Sequence, residues 1–202
     1  MSKSPVITPK STLVLDIDDV LCMSSPYGGF DVRDAMNGIR DDLGPILSKI
    51  FSSGALNVLR RAHDKMEGNL SYVISSTWRH VFDREQMVRI FNGAGASFVA
   101  DSLFPDEAWC TPFLPGEDKR ADEISLWNRT YSRGEPFVIL DDTYSGKSLL
   151  GAKSNPNHPW FWRVVMCDEY VGLLEEHFGE ILVALKRPLA LDNPYPSSTR
   201  RP

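Results

Sequence analysis

The sequence predicts an α/β domain with a mostly parallel central sheet of about five strands, and three observations predict it. Short apolar runs rich in branched residues recur along the chain, helix-length amphipathic segments separate most of them, and two of the runs end in paired or tripled aspartates. Continuous apolar runs suit strands covered on both faces, and strand–helix alternation builds a parallel sheet. At 202 residues the chain holds one such domain with room for a small insertion.

Taken in order, the first strand is Thr12 to Asp16 (TLVLD), followed at Ser71 to Ser75 (SYVIS), Ser97 to Ala100 (SFVA), Pro136 to Leu140 (PFVIL) and Trp162 to Met166 (WRVVM) by runs of the same kind. Between them, Ala55 to Met66 sets Leu56, Leu59 and Ala62 or His63 on one helical face, and Gly68-Asn69 ends that helix. His63 is read as helix packing. Arg84 to Phe91 stops at Asn92-Gly93, Asp122 to Tyr131 carries Ile124, Trp127 and Tyr131 at helical spacing, and Tyr170 to Leu185 is a last amphipathic helix. Met23 to Ser53 is the exception, a connection of about thirty residues where α/β loops take about 2 to 6. Ile39 to Ile50 has room for a short helix, but Gly28-Gly29, Gly38 and Gly44-Pro45 leave no place for a full cap domain. A long loop at a strand's carboxyl end is a place for substrate selection.

Composition removes several function classes. No apolar run approaches the roughly 18 residues of a spanning helix, and MSKSPVITPK lacks a signal peptide's apolar stretch, so no membrane partner and a cytoplasmic location are expected. Cys22, Cys110 and Cys167 are far apart and form no zinc spacing, which makes them reduced packing thiols. A net charge of −5 argues against a strong overall positive field for nucleic acid. Ser145-Gly-Lys-Ser148 imitates a P-loop, but the required earlier Gly is Asp141. His80 and His158 have no metal-ligand spacing, and Trp160 and Trp162 sit beside an apolar strand as core aromatics do.

The chemistry is concentrated at two strand ends. In Leu13-Val-Leu-Asp16-Ile-Asp18-Asp19 an apolar strand runs into three carboxylates, an arrangement of like charges that is costly unless a cation or reaction chemistry compensates it. If the extended geometry continues, Asp16 and Asp18 face the same way, one placed to attack and the other to move a proton. Val138-Ile-Leu-Asp141-Asp142 repeats the theme. A carboxylate attacking a phosphate dianion needs a divalent cation, a fixed basic group and hydroxyl or amide donors. Oxygen ligands with water favour Mg²⁺.

DIDDVL resembles the DxDx(T/V)(L/V) first motif of haloacid dehalogenase-like phosphatases. The resemblance implies a Rossmann-like three-layer α/β/α sandwich with a small or no cap, and an Mg²⁺-dependent phosphomonoesterase in which Asp16 forms an aspartyl-phosphate and Asp18 is the general acid and base. It implies a phosphate contact at Ser75, with Ser76 the alternative. Ser76 or Thr77 also suits a helix N-cap. It further implies a third-motif base at Lys119 or Arg120, and a metal site drawn from Asp16, Asp18, Asp141 and Asp142. More finely, Ser75-Ser-Thr-Trp78-Arg79, Thr111-Pro112, Arg120-Ala-Asp-Glu123-Ile124 with Trp127, Ile139-Leu-Asp-Asp142 and Val171-Gly-Leu173 together resemble the haloacid dehalogenase-type domain of Swiss Army Knife RNA repair proteins. That match favours Arg120 over Lys119 and makes Arg79 a second phosphate contact. The implied organisation is a phosphatase domain over residues 11–186, with 23–53 a loop or small cap insertion, and a Pro-rich tail at 187–202. The expected partner is a phosphorylated substrate, with nucleotide and nucleic-acid end phosphates among its classes. The alternative is a phospho-receiver or binding protein that keeps the fold without turnover.

Overall fold

The structure is a computed structural model and describes residues 10–189. Four parallel strands form one sheet: β1 Ser11–Leu15, β2 Leu70–Ile74, β3 Phe137–Asp142 and β4 Val164–Cys167, in the order β2-β1-β3-β4. Every β1 and β2 residue is buried, as strands covered on both faces must be. Their side chains alternate between two cores. Leu13, Leu15, Tyr72, Ile74, Val138 and Leu140 face the larger one, and Val14, Val73 and Ile139 face a smaller one with Trp127 and Leu149. Helices α3 (Ser53–Lys65) and α8 (His177–Lys186) contribute Leu59 and Ile181 to the first core, while α6 (Arg120–Tyr131) and α7 (Lys147–Ser154) cover the second. The result is the three-layer α/β/α sandwich.

Among the described residues the sheet has four strands where the sequence predicts about five. Ser97–Ala100, expected as a strand, is the one-turn helix α5 behind α4 (Arg84–Gly93). A four-residue apolar run has no period of its own, and here Gly95 at φ 74° and the Ala96 amide bonded to Phe91 O fold it into a helical turn. The outer edge of β2 is closed by irregular chain instead: Tyr72 N donates to Ser102 O, Phe104 N to Tyr72 O, and Thr111 N to Ile74 O.

Two other expectations change. The segment before α3 carries α1 (Gly29–Met36) as well as α2 (Leu43–Leu47). Gly28-Gly29 reads as a breaker, but it is a helix start. Gly28 is extended and its amide donates to Asp31 Oδ2 at 2.9 Å. At the other end, the helix expected from Tyr170 begins only at His177. Tyr170 at φ 60° and Gly172 at φ 80° hold 170–176 as a loop. A Cβ on Gly172 would lie 2.5 Å from Met23 Cε, so this turn requires glycine. Of the sequence-predicted tail, residues beyond 189 lie outside the described residues.

Candidate active site

Chain order fixes where the site lies. In the order β2-β1-β3-β4 the chain leaves β1 toward one side for β2 and returns to the other for β3, so a crevice opens at the carboxyl ends of β1 and β3. Leu15 is paired with both Ile74 and Leu140. The next residues along, Asp16, Ser75 and Asp141, therefore end three adjacent strands in one row. Asp16 N donates to Leu140 O and Ser75 N to Leu15 O, both at 2.9 Å, which pins that row.

Asp16, Asp141 and Asp142 are buried and present ligand atoms within 4.8 Å of one another. One guanidinium, Arg120 from the start of α6, stands against them, with Nη2 3.2 Å from Asp16 Oδ1 and Nε 3.4 Å from Asp141 Oδ2. Burial, then the charge of Asp141, hold the Asp16 carboxyl well above the usual carboxylate range against the pull of Arg120. Burial likewise pushes Asp141 up to about 6, opposed by Arg120 and by the Ser145 hydroxyl. Burial works against the charge on Arg120, but Asp141 and Asp16 outweigh it and keep the guanidinium charged.

Asp16 Oδ2, Asp141 Oδ2, Ser75 Oγ and Arg120 Nη1 are all buried without a hydrogen-bond partner. Buried polar atoms are rarely left so, and here they belong to residues that end adjacent strands and to the guanidinium that contacts two of them. Three carboxylates against one cation, with orphaned oxygens among them, fit a divalent oxygen-loving ion such as Mg²⁺.

The remaining sequence-predicted residues are distributed differently. Beyond Asp16 the chain turns at once: Leu21 and Cys22 amides return to Ile17 O, and Asp19 takes φ 52°. Asp18 is outside the buried triad. Its Oδ1 accepts from Trp78 Nε1 at 2.9 Å and its Oδ2 from Thr77 Oγ1 at 3.4 Å. Burial holds its carboxyl above the usual carboxylate pKa, with the Trp78 hydrogen bond opposing. Asp19, the third carboxylate of the run, accepts from Tyr170 N at 2.9 Å and so docks the 170–176 loop. Ser76 Oγ accepts from Trp78 N as the cap of a 3₁₀ turn, Thr77–His80. Lys119 lies just before α6 and pairs with Asp122 at 3.3 Å. Arg79 Nη2 is 2.6 Å from Glu123 Oε2, and its Nη1 donates to the Ser75 and Ser76 carbonyls. The Arg79–Glu123 pair ties the end of β2 to α6.

Sequence reasoning missed Ser145 and Trp78. Ser145 Oγ donates to Asp141 Oδ1 at 2.8 Å and also contacts Asp142 Oδ2, while the Tyr144 and Ser145 amides donate to Asp142 Oδ1. The signal was present in the rejected P-loop string. A Cβ on Gly146 would meet Asp142 O at 2.6 Å and Asp141 Oδ1 at 3.0 Å, so this Ser-Gly pair is shaped around the aspartates. His80 and His158 make ring contacts to Phe113 and Trp160 and belong to no metal-ligand group among the described residues. His63 contacts the Tyr72 hydroxyl at 3.2 Å, as a packing residue does. The three cysteines are free thiols.

The model of the HAD domain in Swiss Army Knife RNA repair proteins matches residues 12–178. The chain belongs to this family of HAD domains. The HAD assignment agrees with the parallel sheet and with acidic residues at the ends of β1 and β3, and it carries a phosphohydrolase-type function. Comparison of this HAD domain with curated proteins and with solved structures finds no match in either. Among its described residues no helix is long and apolar enough to cross a membrane.

Proposed function

We propose that this HAD domain is a magnesium-dependent phosphomonoesterase working through an aspartyl-phosphate on Asp16. The observation that carries the reading is that Asp16 Oδ2, Ser75 Oγ and Arg120 Nη1 are all buried without a hydrogen-bond partner, on two residues that end adjacent strands and on the guanidinium in contact with Asp16. A nucleophile, a hydroxyl donor and a guanidinium are what a phosphoryl group requires. Asp16, Asp141 and Asp142 would hold the Mg²⁺, whose charge would offset the repulsion between carboxylate and phosphate.

An Asp16 carboxylate oxygen attacks phosphorus as the bond to the leaving oxygen breaks. Asp18, protonated at that moment, gives its proton to the departing alkoxide or aryloxide. Water then attacks the same phosphorus, Asp18 takes the water proton, and the bond to Asp16 breaks, releasing phosphate and regenerating both carboxyls. Because Asp16 is only 1% exposed and in contact with Arg120, substrate entry moves that guanidinium from the carboxylate to the phosphoryl oxygens. Ser75, whose hydroxyl is uncommitted, takes a phosphoryl oxygen. Ser76 is occupied as a cap, and Lys119 pairs outward. Arg79 acts by holding the Ser75 loop.

The family description makes nucleotide and nucleic-acid end phosphates the first natural substrates to test, and a cytoplasmic location belongs to the same reading. The experiment is p-nitrophenyl phosphate hydrolysis with Mg²⁺, with EDTA, and with Asp16→Asn. Turnover abolished by EDTA and lowered at least about a thousandfold by Asp16→Asn is expected. Folded, metal-loaded protein inert toward every phosphate ester would return the phospho-receiver or binding alternative.

A further inference from the structure

Asp18 lines a cleft of about 580 Å³ whose other residues take no part in the proposed bond-making and bond-breaking steps. It is lined by Asp18, by Phe30 on α1, by Trp78 and His80 of the 3₁₀ turn, and by Val81 and Phe82 that follow it. Trp78 lies so close to α1 that a Cβ on Gly29 would be 3.1 Å from its ring. At the mouth, Phe30 is 72% and Val81 47% exposed, and the His80 ring is braced edge-on by Phe113 at 4.9 Å. Large apolar side chains grouped beside a polar site mark a place where something binds.

The charge census narrows the ligand. Among the described residues no Lys or Arg lines the cleft, and the carboxylates that line it are Asp18 and Asp31. Asp31 is matched by Arg40 at 2.5 Å and by the Gly28 amide. Arg33, over the Phe30 ring at 4.9 Å, is paired with Asp34. Burial, then the charge of Arg79, disfavour protonation of the His80 imidazole. A second phosphate or carboxylate would find no uncommitted cation there, whereas a flat apolar ring would find Phe30, Trp78 and Val81.

We propose that this cleft is the leaving-group subsite and takes an uncharged, planar aromatic group esterified to the phosphate. The inference rests on the phosphohydrolase reading, because Asp18, which lines the cleft, is the group that protonates the leaving oxygen. Two sources share this chemistry, simple aryl esters and nucleosides. An additional phosphate held inside the cleft is disfavoured, so a nucleic-acid end fits only with its next phosphate outside it.

The test compares acetyl phosphate, 1-naphthyl phosphate, adenosine 5′-monophosphate and adenosine 3′,5′-bisphosphate on wild-type protein and on Phe30→Ala and Val81→Asp. Stacking losses of this kind predict a roughly tenfold rise in KM for the two uncharged aromatic leaving groups in both variants. Acetyl phosphate turnover is expected within twofold of wild type, and the bisphosphate should be the poorer adenosine substrate. Selectivity for naphthyl over adenosine, or the reverse, separates the two sources. Calorimetric binding of 1-naphthyl phosphate in EDTA should weaken by about the same factor in Phe30→Ala, independently of turnover. Unchanged KM and unchanged binding of the aromatic ester in both variants overturn the subsite. Failure to hydrolyse acetyl phosphate, with the binding difference intact, overturns only the phosphohydrolase reading.

Discussion

Asp16 bears two opposed demands. As a buried carboxylate facing Asp141, with burial the larger cause of its raised pKa, it destabilises the metal-free fold, and as a nucleophile it must be ionised. Asp16→Asn is therefore expected to raise the melting temperature of metal-free protein at pH 7.5 by about 3 °C or more while abolishing turnover. A melting temperature equal to or below wild type contradicts the electrostatic account. Ser145 has the reverse profile. Its hydroxyl fixes both Asp141 and Asp142 from outside the ligand set, so Ser145→Ala should weaken Mg²⁺ binding about 10- to 100-fold by titration calorimetry. Unaltered affinity would reduce Ser145 to a loop residue.

At the scale of elements, the end of β2 and the start of α6 are joined by the Arg79–Glu123 pair, whose side chains are 4% and 7% exposed. Glu123→Gln leaves a buried guanidinium without its counter-charge, so chemical denaturation should report a loss of about 3 to 5 kcal/mol. A loss below 1 kcal/mol would mean the carbonyls of Ser75 and Ser76 satisfy Arg79 alone. The same elements mark how far the sequence could be read. β1 and β3 were legible because an apolar run ending in aspartates has no packing explanation, and parallel pairing then sets Asp16 beside Asp141. The apolar run Ser97–Ala100 was misread because its four residues carry no period. Helix α1 was obscured because Gly28-Gly29 was read as a break, when Gly29 is small to admit Trp78 and Gly28 is a start. The hydrogen bond from Trp78 to Asp18 joins residues sixty positions apart and left no local signal. Arg79, with basic character and the right neighbourhood, gave no sign in the sequence that Glu123 already holds it.

For the whole molecule, the buried triad makes stability depend on pH and cation together. A carboxyl whose folded-state value is raised, as Asp141 is to about 6, contributes stability that is full below about pH 4 and lost as pH rises through about 6. On that group alone the difference is about 3 kcal/mol. Metal-free protein should thus melt lower at pH 7.5 than at pH 5, and Mg²⁺ should raise the melting temperature more at pH 7.5. A Mg²⁺ effect equal at both values would place the ion elsewhere. The central claim is that Asp16 carries the phosphoryl group. Its most direct test is to mix Asp18→Asn, which lacks the group that activates water, with p-nitrophenyl phosphate and Mg²⁺, quench in acid and map phosphate by peptide mass spectrometry. The account predicts phosphate on Asp16, absent from the Asp16→Asn/Asp18→Asn double variant. Phosphate on another residue, or turnover by wild-type protein with no covalent phosphate in any quenched sample, would contradict it.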